Sequence, residues 1–269
     1  MNTVVVGVST TFLYSLSAIL LALRLWQRQR QRQHSSKLPL LLPALLALAL
    51  HALHLYQNMI GAAGLQLSFF SALSLFSWII VALMLMLSIR QPVENLGIGL
   101  LPLTAVAVLA SLAFDDHGAA LKQLSEGLQI HILVSVLAYS MLSLAALQAL
   151  LFSLQNRNLH NHHPGGFIRA LPPLYLMEVI LFQMINIGFI LLSFSLLSGF
   201  LYLEDMFAQH IVHKTILSLF AWGMFATLLI GRRLSGWRGK LAVRWTLSAA
   251  ALLMLAYFGS KLVQELILA

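Results

Sequence analysis

The chain contains no cysteine. That excludes thiol redox chemistry, thiolate metal ligation and disulfide bridges, and it leaves the redox compartment unmarked. Charge is scarce too, since only 9% of the 269 residues are Asp, Glu, Lys or Arg, against about a quarter in a soluble domain. Alternating apolar and polar residues are missing, so a transmembrane β-barrel is excluded. No basic stretch precedes the first apolar run and no small-residue cleavage site follows it. That run is expected to stay as a helix rather than be removed as a signal peptide. Acids are absent from the interior of the apolar runs, which leaves no Asp or Glu relay for a proton-coupled transporter, and no interrupted-helix repeat is visible.

What the chain has in abundance is hydrocarbon: 60% of its residues are hydrophobic. They fall in runs of about 20, the length an α-helix needs to cross the apolar core of a bilayer. In lipid every backbone group must be satisfied within the span, so the fold class is all-α, a single polytopic membrane domain over residues 1–269. Eight spans are predicted: Val4 to Leu25, Leu38 to Tyr56, Leu67 to Ile89, Leu96 to Phe114, Ile130 to Leu154, Leu176 to Phe200, Ile211 to Ile230 and Leu241 to Leu262. The sequence pI of about 10.2 suggests nucleic acid at first sight. The basic residues, however, sit in short loops between spans, where they act as topology signals.

Thirteen of the sixteen basic residues, from Arg24 and Lys37 through Arg90 and Arg157 to Arg232, Arg238 and Arg244, lie in one set of loops. The other set holds Lys122, Lys214 and Lys261 with six of the eight acids. The positive-inside rule makes the first set cytoplasmic, which puts both termini on the periplasmic side of a bacterial inner membrane. The Arg-Gln alternation from Gln27 to Gln33 reads as a topogenic loop beside anionic headgroups. His160, His162 and His163 lack a partner carboxylate or thiol, so they read as a solvated loop rather than a metal site. On the outer side, Leu121, Leu124 and Leu128 recur at helical spacing, as do Phe200, Leu203 and Phe207. Both patterns predict short amphipathic helices on the membrane surface.

Polar side chains inside spans are costly and therefore face the bundle interior. His51, His54 and Asn58 share one face of the second span, while His131, Ser135, Tyr139 and Ser143 follow at i+4 steps in the fifth. His210 and His213 open the seventh, with Lys214, Ser218 and Trp222 on a neighbouring stripe. The Ser68, Ser71, Ser74 and Ser77 series suggests small-residue helix packing. Gln183 and Asn186 suggest hydrogen bonds to neighbouring helices or a cavity lining. All the span histidines lie toward the outer face. Neutral imidazoles grouped there, with no cysteine and hardly any intramembrane acid, suit haem better than a hydrolytic metal ion, which would normally add a carboxylate. A helix N-terminus disfavours imidazolium and favours anionic propionates, so Lys122 or Lys214 could pair with them.

Three segments, HisLysThrIleLeuSerLeuPheAlaTrpGly at 213–223, GlyTrpArgGlyLys at 236–240 and TyrPheGly at 257–259, occur in an order that resembles the CcsA/CcmC cytochrome c assembly superfamily. His131, with Tyr139 and Ser140 after it, resembles the outer-face histidine that opens a helix there. The order of eight spans and LeuProProLeu before Glu178 are most similar to the HemX-like branch. The resemblance implies haem binding through histidines and transfer to apocytochrome c, with a tryptophan-rich outer motif performing the handover. In this chain the stretch before His213 reads LeuGluAspMetPheAlaGlnHisIleVal, without tryptophan, and the chain ends soon after TyrPheGly.

The reading is therefore a haem-binding or haem-handling membrane protein, not itself an enzyme and without the ligation activity. Haem b would be its cofactor, His131 and His213 the leading ligands, and His51 and His54 further candidates. No metal other than haem iron is expected. The partners implied are the lipid bilayer and haem-biosynthesis or cytochrome-maturation proteins, with no nucleic acid. A haem-free accessory protein of the HemX type and a small-molecule transporter are the alternatives.

Overall fold

The computed structural model describes residues 2–31, 38–61, 64–65, 68–114, 126–160, 171–202 and 212–259. Eight α-helices account for almost all of them: α1 Thr3–Gln31, α2 Leu38–Met59, α3 Phe69–Arg90, α4 Gly97–Ala113, α5 Glu126–His160, α6 Leu174–Tyr202, α7 Val212–Ser235 and α8 Lys240–Met254. A π-helical turn, Leu255–Gly259, extends α8. Counting that turn with α8 and the short turn at Glu94–Leu96 with α4, all eight are long and apolar enough to cross a membrane. A two-residue antiparallel strand pair, Ile60–Gly61 with Gly64–Leu65, follows α2.

Local chemistry sets several boundaries. Ser68 caps α3 by accepting the Ser71 amide at 3.2 Å, which satisfies one of the open donors of a first turn. Gln91 precedes a proline and is extended, with φ −126 and ψ 150, so α3 cannot continue. The chain then makes a 3-10 turn at Glu94–Leu96 and enters α4. At the start of α6 the Pro173 carbonyl accepts the Met177 amide at 3.1 Å, proline costing nothing where the first N–H groups have no helical partner.

The helices group into two compact units, residues 1–122 with 157–172 and residues 123–156 with 173–269. In the first unit α1 packs on α2 and α4, and α3 closes the ring against the same two. In the second, α7 packs between α6 and α8. There α5 approaches α6 where Gly188 faces Leu142, so closely that a Cβ on Gly188 would meet the leucine at 2.6 Å. Gln148 of α5 also donates to the Met177 carbonyl of α6 at 3.1 Å. Phe12, Ile19, Leu103 and Phe194 are each more than half exposed, as side chains facing lipid are.

Two expectations change. The surface helix anticipated before the fifth span is replaced, from Glu126 on, by the first turn of α5 itself. Residues 115–125, which carry Leu121, Lys122 and Leu124, lie outside the described residues, as do 203–211 with His210. Ionised groups are also not confined to loops. Arg24, anticipated as a loop cation, is 5% exposed and faces the equally buried Glu94 at 3.7 Å. The pair joins the end of α1 to the start of α4, because a buried charge is tolerable only beside its opposite.

Candidate functional site

His131 lies in the second turn of α5 and is half-buried. Its Nδ1 is 3.0 Å from the Ser195 carbonyl oxygen and 3.1 Å from the Ser198 hydroxyl, both on α6. A carbonyl can only accept, so Nδ1 carries the proton and donates it, which leaves the lone pair on Nε2. Among the described residues Nε2 has no hydrogen-bond partner. The ring fits against α6 because residue 199 is glycine, where a Cβ would stand 2.9 Å from Cε1.

Below His131 the polar side of α5 continues inward. The Ser135 hydroxyl donates to the His131 carbonyl at 2.6 Å and lies 2.7 Å from the Ser195 hydroxyl. One turn on, the Tyr139 hydroxyl is 2.9 Å from that of Ser218 on α7, and its ring meets Tyr257 edge-on at 6.4 Å. The i+4 stripe read from the sequence is thus the seam by which α5 joins α6 and α7, each of its hydroxyls finding a partner as lipid requires. Trp222 turns to α6 as well, its indole N–H donating to Ser193 at 2.9 Å.

His213 is exposed near the start of α7 and makes no hydrogen bond to a described residue. It stands five residues before Ser218, about 140° around the helix at 100° per residue. Lys214 beside it is half-buried. Lys122 lies outside the described residues. The Asn186 amide donates to the Phe182 carbonyl of its own helix at 2.8 Å and is exposed, with no link to another helix among the described residues.

In the other unit His51 and His54 come together, their ring centroids 6.3 Å apart. Both are fully buried. His51 uses both nitrogens: Nδ1 meets the Tyr14 hydroxyl of α1 at 3.2 Å and Nε2 the Ser74 hydroxyl of α3 at 2.9 Å. Ser74, anticipated as a small packing residue, is therefore a polar partner. His54 Nε2 is 3.0 Å from the Ser111 hydroxyl of α4, whose own proton goes to the Val108 carbonyl at 2.8 Å. The serine oxygen must then accept, placing the His54 proton on Nε2. Among the described residues the buried Nδ1 is left without a hydrogen-bond partner. Either ring would have to release a partner before its bonded Nε2 could serve as a ligand.

The GlyTrpArgGly stretch forms the α7–α8 turn. Gly236 and Gly239 have φ of +65 and +59, a region that side-chain-bearing residues avoid. Their conformation carries Arg238 to Glu178 at the start of α6, where Nε and Nη2 donate to Oε2 at 3.2 and 3.0 Å. The Gly239 amide donates to Oε1 at 3.0 Å. The hydrogen bonds from Arg238 to the Glu178 carboxylate hold its guanidinium even more firmly protonated than usual. Sequence reasoning missed Ser195, Ser198 and Gly199. The cluster of small residues from Ser193 to Gly199, one helical turn before the end of α6, is the signal that could have found them.

Among the described residues no group of three or more His, Asp or Glu side chains could hold a bare metal ion. The inner membrane protein YpjD of Escherichia coli K12 is 33% identical over 233 residues, 84% of this chain and 87% of the relative. A 28.8 kDa uncharacterised protein of Azospirillum brasilense, from the region 5' of a nifR3-like gene, is 32% identical over 208 residues, 74% of this chain and 77% of its own length. No solved structure gives a significant match. Eight spans and this kinship make the chain a multi-pass inner-membrane protein. The model of the cytochrome c assembly protein family matches residues 39–268, nearly the whole chain from α2 onward, and the chain belongs to that family.

Proposed function

We propose that the protein holds b-type haem in the membrane, with His131 as an axial ligand, and relays it without itself joining it to apocytochrome c. The observation that carries this reading is the fixed ring of His131: Nδ1–H is committed to the Ser195 carbonyl and Nε2 is left with its lone pair. A histidine that ligates iron is commonly held this way, the second hydrogen bond setting both tautomer and basicity. Family membership supports the same class of cofactor. Haem bound there would supply a one-electron iron couple whose potential the imidazole tunes.

The work left to the chain's own residues is orientation. Ser195 and Ser198 aim the ring, and Gly199 gives it room. His213, also unengaged, is the candidate for a second ligand in the same unit, and Lys214 or Lys122 for the propionates. The charge distribution puts the His131 end of α5 on the periplasmic side with both termini. Proteins of haem synthesis or cytochrome maturation are the natural partners.

Purification in detergent with haem supplied, followed by an absorption spectrum, tests the proposal. A Soret band lost in His131→Ala is the expected result. A band that survives both His131→Ala and His213→Ala would overturn the ligand assignment. No band at all would leave a haem-free accessory protein of the HemX type, or a transporter whose flux in liposomes depends on Gln183 or Asn186.

A further inference from the structure

At the end of the second unit away from His131, the α7–α8 corner carries five cations, Arg232, Arg233, Arg238, Lys240 and Arg244, and two of them, Arg232 and Arg238, face the carboxylate of Glu178. That carboxylate is already engaged at both oxygens: Oε2 takes both Arg238 donors and Oε1 takes the Gly239 amide. Arg232 gains nothing from it beyond long-range attraction. Its guanidinium sits over the Phe182 ring, with Cζ 3.5 Å from the centroid. Its Nη1 is shut from solvent with no hydrogen-bond acceptor among the described residues, within electrostatic reach of Glu178, Tyr175 and the like-charged Arg238. A buried guanidinium nitrogen without an acceptor costs free energy, and a like charge nearby adds to the cost. What the arrangement lacks is an anion.

The turn beside Arg232 is open. A Cβ on Gly236 or Gly239 would meet nothing within 4 Å, and the Arg238 side chain remains 60% exposed. The surrounding surface is apolar: Ile230, Leu234 and Tyr175 are 56%, 81% and 69% exposed. Trp237 and Trp245 stand beside the turn with ring centroids 5.5 Å apart, the amphipathic rings typical of a headgroup boundary.

We propose that Arg232 and Arg238, at the Gly236–Gly239 turn, hold the phosphodiester of an anionic phospholipid. Planar guanidinium forks match phosphate oxygens in pairs, where an ammonium offers only a point charge. The exposed side chains of Ile230, Leu234 and Tyr175 would run along the acyl chains, which a free phosphate does not possess. One headgroup there supplies the acceptor missing at Arg232 and screens it from Arg238.

Native mass spectrometry of the full chain in detergent, with phosphatidylglycerol or phosphatidylcholine added, tests the site. The wild type should retain phosphatidylglycerol preferentially, and Arg232→Gln should reduce that retention roughly fivefold. Arg90→Gln, a change at an exposed cation in the other unit, should leave it intact. Equal retention of the two lipids, equal loss in both variants, or displacement by millimolar inorganic phosphate would overturn the proposal, the last by assigning the site to a soluble anion. A measurement on the wild type guards against a variant that fails to fold. Phenylglyoxal should modify Arg232 and Arg238 more slowly in phosphatidylglycerol than in phosphatidylcholine, and equal rates would also overturn it.

Discussion

Nδ1 of His131 lies 3.0 Å from the Ser195 carbonyl oxygen, so a backbone atom of α6 decides which nitrogen of a ring on α5 is free. A mutation cannot delete that carbonyl, but one can push the ring off it. Gly199→Ala would bring a Cβ to 2.9 Å from Cε1. Loss of such an orienting contact typically costs about tenfold or more in ligand affinity. Haem titration of Gly199→Ala should show that weakening with helix content unchanged. Undiminished affinity would mean that α6 does not fix the ring.

His51 should behave in the opposite way. It joins α1, α2 and α3 through Tyr14 and Ser74, so His51→Phe leaves two hydroxyls unpaired in an apolar interior. The expected loss is about 1–2 kcal/mol of stability, interhelical bonds in membranes being modest, read by denaturant titration in detergent. The same variant should keep its Soret band. A stable protein without the band would assign His51 to the iron instead.

The Arg24–Glu94 pair predicts a sharp non-additivity. Glu94→Ala removes the carboxylate that faces a buried guanidinium and should cost about 3–5 kcal/mol. Changing both partners, Arg24→Met with Glu94→Leu, should recover most of the loss, because neither charge is then left alone. Equal destabilisation of the single and double variants would show that the side chains matter for shape rather than charge.

Gly239 adopts φ +59 and ψ −128, where a Cβ is strained whatever space surrounds it. Gly239→Ala should therefore cost about 1–3 kcal/mol despite the open surroundings. If the Gly239 amide swings away from Glu178 at the same time, Glu178→Gln in that background should add little. Full additivity would show that the turn keeps its shape.

The helices were legible in the sequence because a membrane span has one strong signature, about twenty apolar residues between polar loops. Their ends were less so. Expected to begin at Ile130, α5 begins at Glu126, since a helix can continue past the hydrocarbon without any change in hydropathy. Arg24 looked like a loop cation because the positive-inside rule counts charge without seeing a buried partner seventy positions further on. His131 stood out as an imidazole in a polar stripe, but its free nitrogen could not be read. The group that fixes it is a main-chain carbonyl, which every residue possesses. The GlyTrpArgGly motif was visible as a pattern, whereas its job depended on Glu178, 60 residues before the arginine.

The Glu178 clasp has a mechanical consequence. One carboxylate ties the second turn of α6 to the α7–α8 corner, while His131 meets α6 at Ser195 and Ser198, some twenty residues or roughly 30 Å along the same rod. A rod riveted at one tip can yield only at the other. Any widening that admits a flat, bulky guest beside the imidazole must therefore splay the helices like a fan from the riveted corner, and loosening that rivet should be felt first at the far edge.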